Sequence, residues 1–480
     1  MPAIGKQQYV WDASEFLKGM TSGPQMNDGG FTTETDGVNL TKTQGVIYAP
    51  AAAVDSDTDT RLTGNIIASG NDHNLSSPTN KLLVTDDGKF YTYNGTKIPA
   101  AALGTDSSNT YTKGYTDMIS FGGGGSPRSY ITTKQRIVEW TGASTFDFAS
   151  AGSATWTFTN STYRHPALVY ENNAFYGDGN LLLRQTAVGG ALATILTLSQ
   201  DQVIIALGID PGSGRMLIST TSFHDDGGTL AKASKLHWYD GFSSKTTKVV
   251  VIDEPIYGFW PVGGTVFAGY GQNLGYINGA GISFLRKLEN VSVDTDQFPY
   301  KNSFCNIGRN LFVIDGDKIL SYSEIIPGQK IFYYVYQNKI NSNKLKCIFD
   351  AGNNKLGFGV ATSKFYTVDL TSTSSLDGLD LYTAWITFPR AINPRKVTLE
   401  FVDALGAITH TDVSFKDQAN KAAGVAMTAQ AGAVSTPYSV DFLGFKNDNV
   451  EPIMSCQLNI TTDTNNKGFK RAILFYDWAE

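Results

Sequence analysis

One short pattern recurs through most of this chain, and it constrains the fold more than any other feature. At 86–95 the sequence reads DDGKFYTYNG, a turn, five residues of strand type and a second turn. The core of that pattern, an apolar start, a large apolar or aromatic residue three positions on and a terminal glycine, returns as RIVEWTG at 136–142, KLHWYDG at 235–241 and NLGYING at 273–279. Looser copies are NLLLRQT at 180–186, KILSYSE at 318–324 and KFYTVDL at 364–370. The apolar anchors are Phe90, Ile137, Leu181, Leu236, Leu274, Ile319 and Phe365, spaced by about 46 residues. The longest interval contains the polar insertion SFHDDGGTLAKAS at 222–234.

Each anchor strand has a partner upstream across a Gly-containing turn, as in LLVTDDGKFYTY, AFYGDGNLLL, VFAGYGQNLGYI and LFVIDGDKIL. These are hairpin signatures. Further upstream lies a strand that is apolar almost throughout: Ile66-Ile67-Ala68, Met118-Ile119-Ser120, Ala167 to Tyr170, Val203 to Ala206, Ile256 to Phe259. A strand needs that composition when sheets cover both its faces. A shorter, more polar strand follows the anchor, as in TKIPAAA at 96–102 and ISFLRKL at 282–288. Each repeat is therefore a four-stranded antiparallel meander. A radial arrangement of seven such sheets buries their faces and leaves short outer edges. The expected fold is all-β: a seven-bladed β-propeller over 41–375, then a small C-terminal β-sandwich over 376–480. VIYA at 46–49 is the candidate strand to close the ring onto its seventh blade.

The N-terminal arm, 1–40, is expected to contain a short helix in WDASEFLKGM at 11–20. Asp12 would cap it, Glu15 would complete a capping box, and Gly19 and Gly23-Pro24 would end it. After 375 the repeat stops. Strands are expected near 382–388 and 395–403, a loop or edge over 414–436, and closing strands in SCQLNITTD at 455–463 and FKRAILFYDWAE at 469–480.

Composition excludes several function classes. Charged residues make up 17% of the 480, below the usual quarter, and 49 glycines suit a turn-rich all-β chain. The net charge is −6 and the cations are scattered, which is not the footprint of a nucleic-acid binder. Cys305, Cys347 and Cys456 are too few and too far apart for a disulfide framework or a zinc site. No apolar leader opens the chain and no long apolar run crosses it, so synthesis in a cytoplasm without membrane insertion is expected.

Chemistry-bearing motifs are sparse. GIDPGSGRMLIST at 208–220 lacks the Lys-Ser/Thr end of a phosphate loop and reads as a hairpin turn. FGGGGSPRSY at 121–130 reads as a connection between strands. Asp55, Asp57 and Asp59 have the spacing of calcium ligands, but the required glycine and the twelfth-position glutamate are missing. His73, His165, His224, His237 and His410 stand isolated, with His224-Asp225-Asp226 the most suggestive group. Asp253 and Glu254 lie at a strand end; Asp86, Asp87, Asp178 and Asp315 lie in turns, where aspartate serves the backbone. Trp140, Trp156, Trp238, Trp260, Trp385 and Trp478 are expected to wedge between sheets, or, if exposed, to stack on sugars. The sequence thus assigns no catalytic, cofactor-binding or metal-ligating residue.

One join carries a family resemblance. Trp385-Ile386-Thr387-Phe388, then Pro394-Arg395-Lys396 and the alternating Val397-Thr398-Leu399, with the closing FKRAILFYDWAE, resemble virion propellers of tailed bacteriophages. Nozzle proteins of short-tailed phages are similar in carrying a propeller with added β-domains. The resemblance implies a non-enzymatic structural protein of the tail, nozzle or neck, without cofactor, made in the bacterial cytoplasm and located in the virion. Its partners would be other virion proteins in a symmetric homo-oligomer past which DNA slides passively. The alternative is a glycan-binding or glycan-cleaving propeller at the virion surface, which would need exposed tryptophans and paired carboxylates.

Overall fold

A computed structural model describes residues 7–13, 31–32, 46–48, 53–71, 80–107, 109–123, 125–140, 157–159, 163–222, 234–288, 300–326, 329–337, 344–372, 380–383, 385–402, 412–417, 425–427, 439–442, 452–461 and 468–479. Among them the chain is all-β, apart from a 3-10 turn at Lys301–Ser303 and Ala13, which is in 3-10 conformation at the edge of the described residues. Hydrogen bonds organise the strands into six four-stranded sheets, one three-stranded sheet and one nine-stranded sheet.

The small sheets follow one another along the chain. The first comprises Ile66–Asn71, Lys81–Thr85, Lys89–Tyr93 and Gly104–Thr105, and the second Met118–Phe121, Arg128–Thr132 and Ile137–Trp140. The third comprises Ala167–Tyr170, Asn173–Asp178, Leu181–Gln185 and Ala193–Thr197. The fourth comprises Gln202–Asp210, Arg215–Ser222, Ser234–Tyr239 and Lys248–Ile252, and the fifth Ile256–Val262, Thr265–Tyr270, Asn273–Asn278 and Gly281–Lys287. The sixth comprises Phe304–Ile307, Asn310–Asp315, Lys318–Ile326 and Gln329–Gln337. The seventh takes Leu345–Gly352, Lys355–Val360 and Lys364–Asp369, and its fourth strand is Ala53–Asp55 from the start of the chain. Every anchor residue of the sequence repeat lies on the third strand of its sheet. In the second sheet Thr157 bridges Arg136, beside the start of the third strand.

In the fourth sheet burial falls from the first strand to the fourth. Val203 to Leu207 are all buried, whereas Val249 and Val251 on Lys248–Ile252 are exposed. Sheet-to-sheet cores supply most of the apolar burial. Leu82, Val84 and Phe90 of the first sheet meet Ile131, Val138 and Trp140 of the second. Tyr130 and Ile137 meet Ala174 and Tyr176, Phe175 and Leu182 meet Ile204 and Met216, and Leu217 and Trp238 meet Phe259 and Val266. Trp260 Nε1 donates to Asn306 Oδ1 at 3.0 Å, joining the fifth sheet to the sixth. Phe304–Ile307 lies against Leu345–Gly352. The seventh sheet then packs back on the first, with Cys347, Phe349 and Phe365 against Ile66, Leu83, Tyr91 and Tyr93.

Two compact units result, one of Val54–Lys318 with Asn338–Thr367 and one of Met1–Ala53, Ile319–Gln337 and Val368–Glu480. In the second unit, Ile386–Phe401 is a 16-residue strand that pairs with Ile453–Thr461 through its first part and with Phe469–Trp478 and Ser439–Phe442 through its last. Asp380–Thr383 and Asp412–Asp417 extend the Ile453–Thr461 side, followed by Val425–Met427.

Two sequence expectations are corrected. The closing strand is Ala53–Asp55 rather than VIYA: Ser56 N donates to Phe365 O at 2.9 Å, whereas Ile47 exchanges both backbone bonds with Phe469 at 2.9 and 2.8 Å. In the arm, Trp11 and Asp12 end a strand, Gln7–Asp12, paired in register with Arg471 to Tyr476; Ala13 follows in 3-10 conformation, and the rest of the expected helix, 14–20, lies outside the described residues. Finally, 96–102 is not the fourth strand of the first sheet. Ile98 N donates to Ser56 O at 3.0 Å and Pro99 has no N–H to offer a ladder, so Gly104–Thr105 takes the edge.

Candidate functional site

Most of the residues weighed in the sequence are absorbed by the scaffold. Asp57 accepts from Arg61 N at 2.8 Å and Leu62 N at 3.0 Å, and Asp59 pairs with Arg61 and Lys97, so the aspartate triplet folds its own loop. Asp210 accepts from Gly212 N, Ser213 Oγ and Trp238 Nε1 at 2.7–3.1 Å, making 208–220 a braced hairpin turn. Asp86 accepts from Asn65 N at 2.8 Å, Asp178 from Thr159 N at 2.9 Å, and Glu254 from Asn273 Nδ2 at 2.8 Å. Asp315 is buried. The glycine run turns back on itself, with Gly125 N donating to Gly122 O at 2.5 Å.

His165 is buried, stacked on Phe158 at 3.6 Å, with Nδ1 3.0 Å from Gly177 O. His237 is buried beside Thr220, and burial, then the nearby Lys235 charge, pulls its pKa down to about 4. Trp140 and Trp238 are buried between sheets. His73, His224, His410, Trp156 and nearly all of the insertion at 222–234 lie outside the described residues. Cys305 and Cys347 are buried thiols whose pKa values burial raises, that of Cys347 to about 12.

What the structure does assemble is a cluster where first strands begin. Three connecting segments converge there: 111–117 before the second sheet, 163–166 before the third and 300–303 before the sixth. In the first, Thr116 N and Tyr115 N both donate to Thr112 O at 3.0 Å. Gly114 sits at φ +85°, and a Cβ there would lie 2.5 Å from the Tyr300 ring, so only glycine lets Tyr300 close over this turn. Asp117 Oδ1 accepts from Met118 N and Lys301 Nζ, both at 2.8 Å, and Oδ2 accepts from Ala167 N at 3.0 Å. Lys301 Nζ also reaches Ala167 O at 3.2 Å, and Asn302 Nδ2 donates to Thr116 O at 3.0 Å.

The Lys301–Ser303 turn also touches the first strands of the first, fifth and seventh sheets. It therefore stands at the middle of the larger unit. Tyr300 packs edge-on against Tyr257 with ring centres 5.7 Å apart. Arg164 stacks over this pair, its guanidinium carbon 4.0 Å from the Tyr300 ring centre, 4.9 Å from Tyr257 and 5.8 Å from Tyr115. Lys134 Nζ lies over the Tyr115 ring, 4.5 Å from its centre. Burial raises the Tyr257 phenol pKa, opposed by the Arg164 charge, so the phenol stays protonated at neutral pH. A cavity of about 30 Å³ opens beside the cluster, lined by Tyr115, Asp117, Tyr257, Tyr300, Lys301 and Asn302 with apolar first-strand residues. That is room for one or two water-sized groups, too little for a nucleotide or sugar.

Sequence reasoning did not single out any of these residues. Their one local signal is a tyrosine within two positions of a cation just ahead of a first strand: Lys113-Gly114-Tyr115, Tyr163-Arg164 and Tyr300-Lys301. Their convergence depends on pairing between distant repeats. Arg164 approaches Tyr300 across more than a hundred positions.

No protein-family model matches the chain, and no curated protein matches it. Solved structures similar to it include Raptor of Chaetomium thermophilum, at 8% identity and TM-score 0.45, over 66% of this chain and 29% of that one. BamB of Moraxella catarrhalis is similar at 12% identity and TM-score 0.37, over 61% of this chain and 80% of that one. YCF48 bound to a D1 peptide is similar at 10% identity and TM-score 0.40, over 66% of this chain and 96% of that one.

Proposed function

We propose that the chain is a seven-bladed β-propeller with a C-terminal β-sandwich, acting as a non-enzymatic structural component of a tailed-phage virion. The small sheets support the propeller reading through their sequential packing and the return of the seventh onto the first. The observation that carries the structural role is the use made of 386–401. The stretch that resembles virion propellers is the spine of the nine-stranded sheet, and its partner Phe469–Trp478 also holds Gln7–Asp12. Segments more than 450 positions apart are thus built into one sheet, which suits a part that must hold its place in an assembly.

The carboxylates described above are engaged in turns, ion pairs and strand ends, which favours structure over hydrolysis. In this reading copies of the chain form a symmetric ring with other virion proteins. DNA would pass through the lumen between copies, since Tyr300 to Ser303 and Gly114 to Asp117 occupy the middle of the larger unit. The test is to image particles that carry the protein by electron microscopy, alongside the mass of the purified protein in solution. Density for several copies around the tail axis is expected. A monomer in solution together with its absence from purified particles would overturn the proposal.

A further inference from the structure

We propose that the outer edge of the fourth sheet is a docking strand for a second copy of this chain, independently of any role in a virion. Among the described residues the strand Lys248–Ile252 has a neighbour on one side only, Ser234–Tyr239. Its free edge presents backbone N–H and C=O groups that a further strand completes. The other small sheets blunt or cover their last strands. Gly104–Thr105 has two residues and Ala53–Asp55 three. Ala193–Thr197 and Gly281–Lys287 each pair through a shift of register. Ile137–Trp140 is buried, as are Ile331 and Tyr333 to Tyr336 on the last strand of the sixth sheet. Lys248–Ile252 has none of these devices. It runs five residues in unbroken register with Trp238 back to Ser234, and its last four residues are β-branched. Val249 and Val251 on it are 48% and 67% exposed.

The strand's own pattern and charge select the occupant. Antiparallel pairing of two copies about Val250 sets Val249 of one opposite Val251 of the other and Val250 opposite its counterpart, so these cross-strand pairs are all apolar. Whichever alternate residues turn their backbone groups outward, they meet their like in this register. The ends match as well. Lys245 and Lys248 stand at the start of the strand and Asp253 and Glu254 just past its end, and Lys245, Asp253 and Glu254 are exposed. Pairing about Val250 sets Lys245 diagonal to Asp253 of the second copy and Lys248 diagonal to its Glu254, and the twofold axis repeats both contacts. Further apolar surface borders the strand. Phe242, 63% exposed, lies in the turn leading into it. Phe284, 61% exposed, lies on Gly281–Lys287, where a Cβ at Gly281 would lie 3.5 Å from Val250.

The test is sedimentation velocity on the full chain across about 1–300 μM, a range that brackets dissociation at about 10–100 μM, the value expected of so small an interface. Dimers that grow with concentration are expected, with hydrogen exchange over 247–253 slowing in step. Val249→Lys with Val251→Lys charges two exposed positions of the edge and should weaken dimerisation at least about tenfold. Asp253→Lys alone should weaken it too, and adding Lys245→Asp should restore it, which a merely structural defect at either position would not do. A wild-type monomer throughout the range, an oligomer unmoved by the two lysines, or no recovery in the charge-swapped pair overturns the proposal. Exchange over 247–253 that is equally slow at every concentration shows another segment of this chain on the edge and overturns it as well.

Discussion

Single residues show how much of the chemistry here is spent on the backbone. Gly88 closes the Asp86-Asp87-Gly88 turn at φ +74°, with its N donating to Thr85 O at 3.1 Å. A Cβ at this position would lie 2.3 Å from Asp106 O. Gly88→Ala should therefore cost about 2–3 kcal/mol, combining left-handed strain with a displaced strand edge, read as a lower urea midpoint at unchanged slope. His237 makes a second prediction. In the folded state its imidazole stays neutral down to about pH 4, whereas the unfolded chain takes up the proton below its ordinary value of 6.5. The unfolded state binds more protons across that window, so acid destabilises the fold between pH 6.5 and 4 by up to about 1.4 kcal/mol per unit. The stability difference between wild type and His237→Gln should shift by roughly 2 kcal/mol between pH 7 and 5, in the variant's favour at pH 5. Parallel pH profiles for the two proteins would remove the effect. Both residues lie within copies of the repeated stretch, DDGKFYTYNG and KLHWYDG. The sequence could not show that burial would discharge the histidine.

At the scale of elements, the seven anchor strands were readable because hydrophobic alternation and Gly-containing turns are local signals. Their partners were less so. The fourth strand of the first sheet differs because 96–102, which follows the anchor as a short polar strand should, gives the Ile98 N–H to Ser56 O instead of to the sheet. The closing strand was misplaced because two short apolar segments, 46–48 and 53–55, compete for two unfinished sheet edges. Nothing within either segment says which edge it meets. The observed closure rests on Ser56 N to Phe365 O at 2.9 Å and on the Ser56 and Thr367 hydroxyls at 3.0 Å. Ser56→Pro deletes the N–H and should cost about 3 kcal/mol, lowering the first thermal transition by roughly 5–10 °C. An unchanged transition would show that the ring does not depend on this latch.

At the scale of the whole molecule, the repeat period and the doubly covered first strands determined the all-β class and a series of small meandering sheets. The sequence also determined where that series ends, since the anchor pattern stops after Phe365 and a different alternation follows. Tertiary structure decided which segment completes the seventh sheet, that the chain start pairs with the chain end, and that Arg164, Asp117, Tyr300 and Lys301 meet. The reason is physical. Alternation and turn residues act through neighbours a few positions apart, so a single repeat reports them. Edge pairing and the convergence of connecting segments act between repeats brought together only once the sheets have packed. The motif around Phe90 therefore specifies its own hairpin, while the cluster of Asp117, Arg164, Tyr300 and Lys301 is made of residues outside the motif.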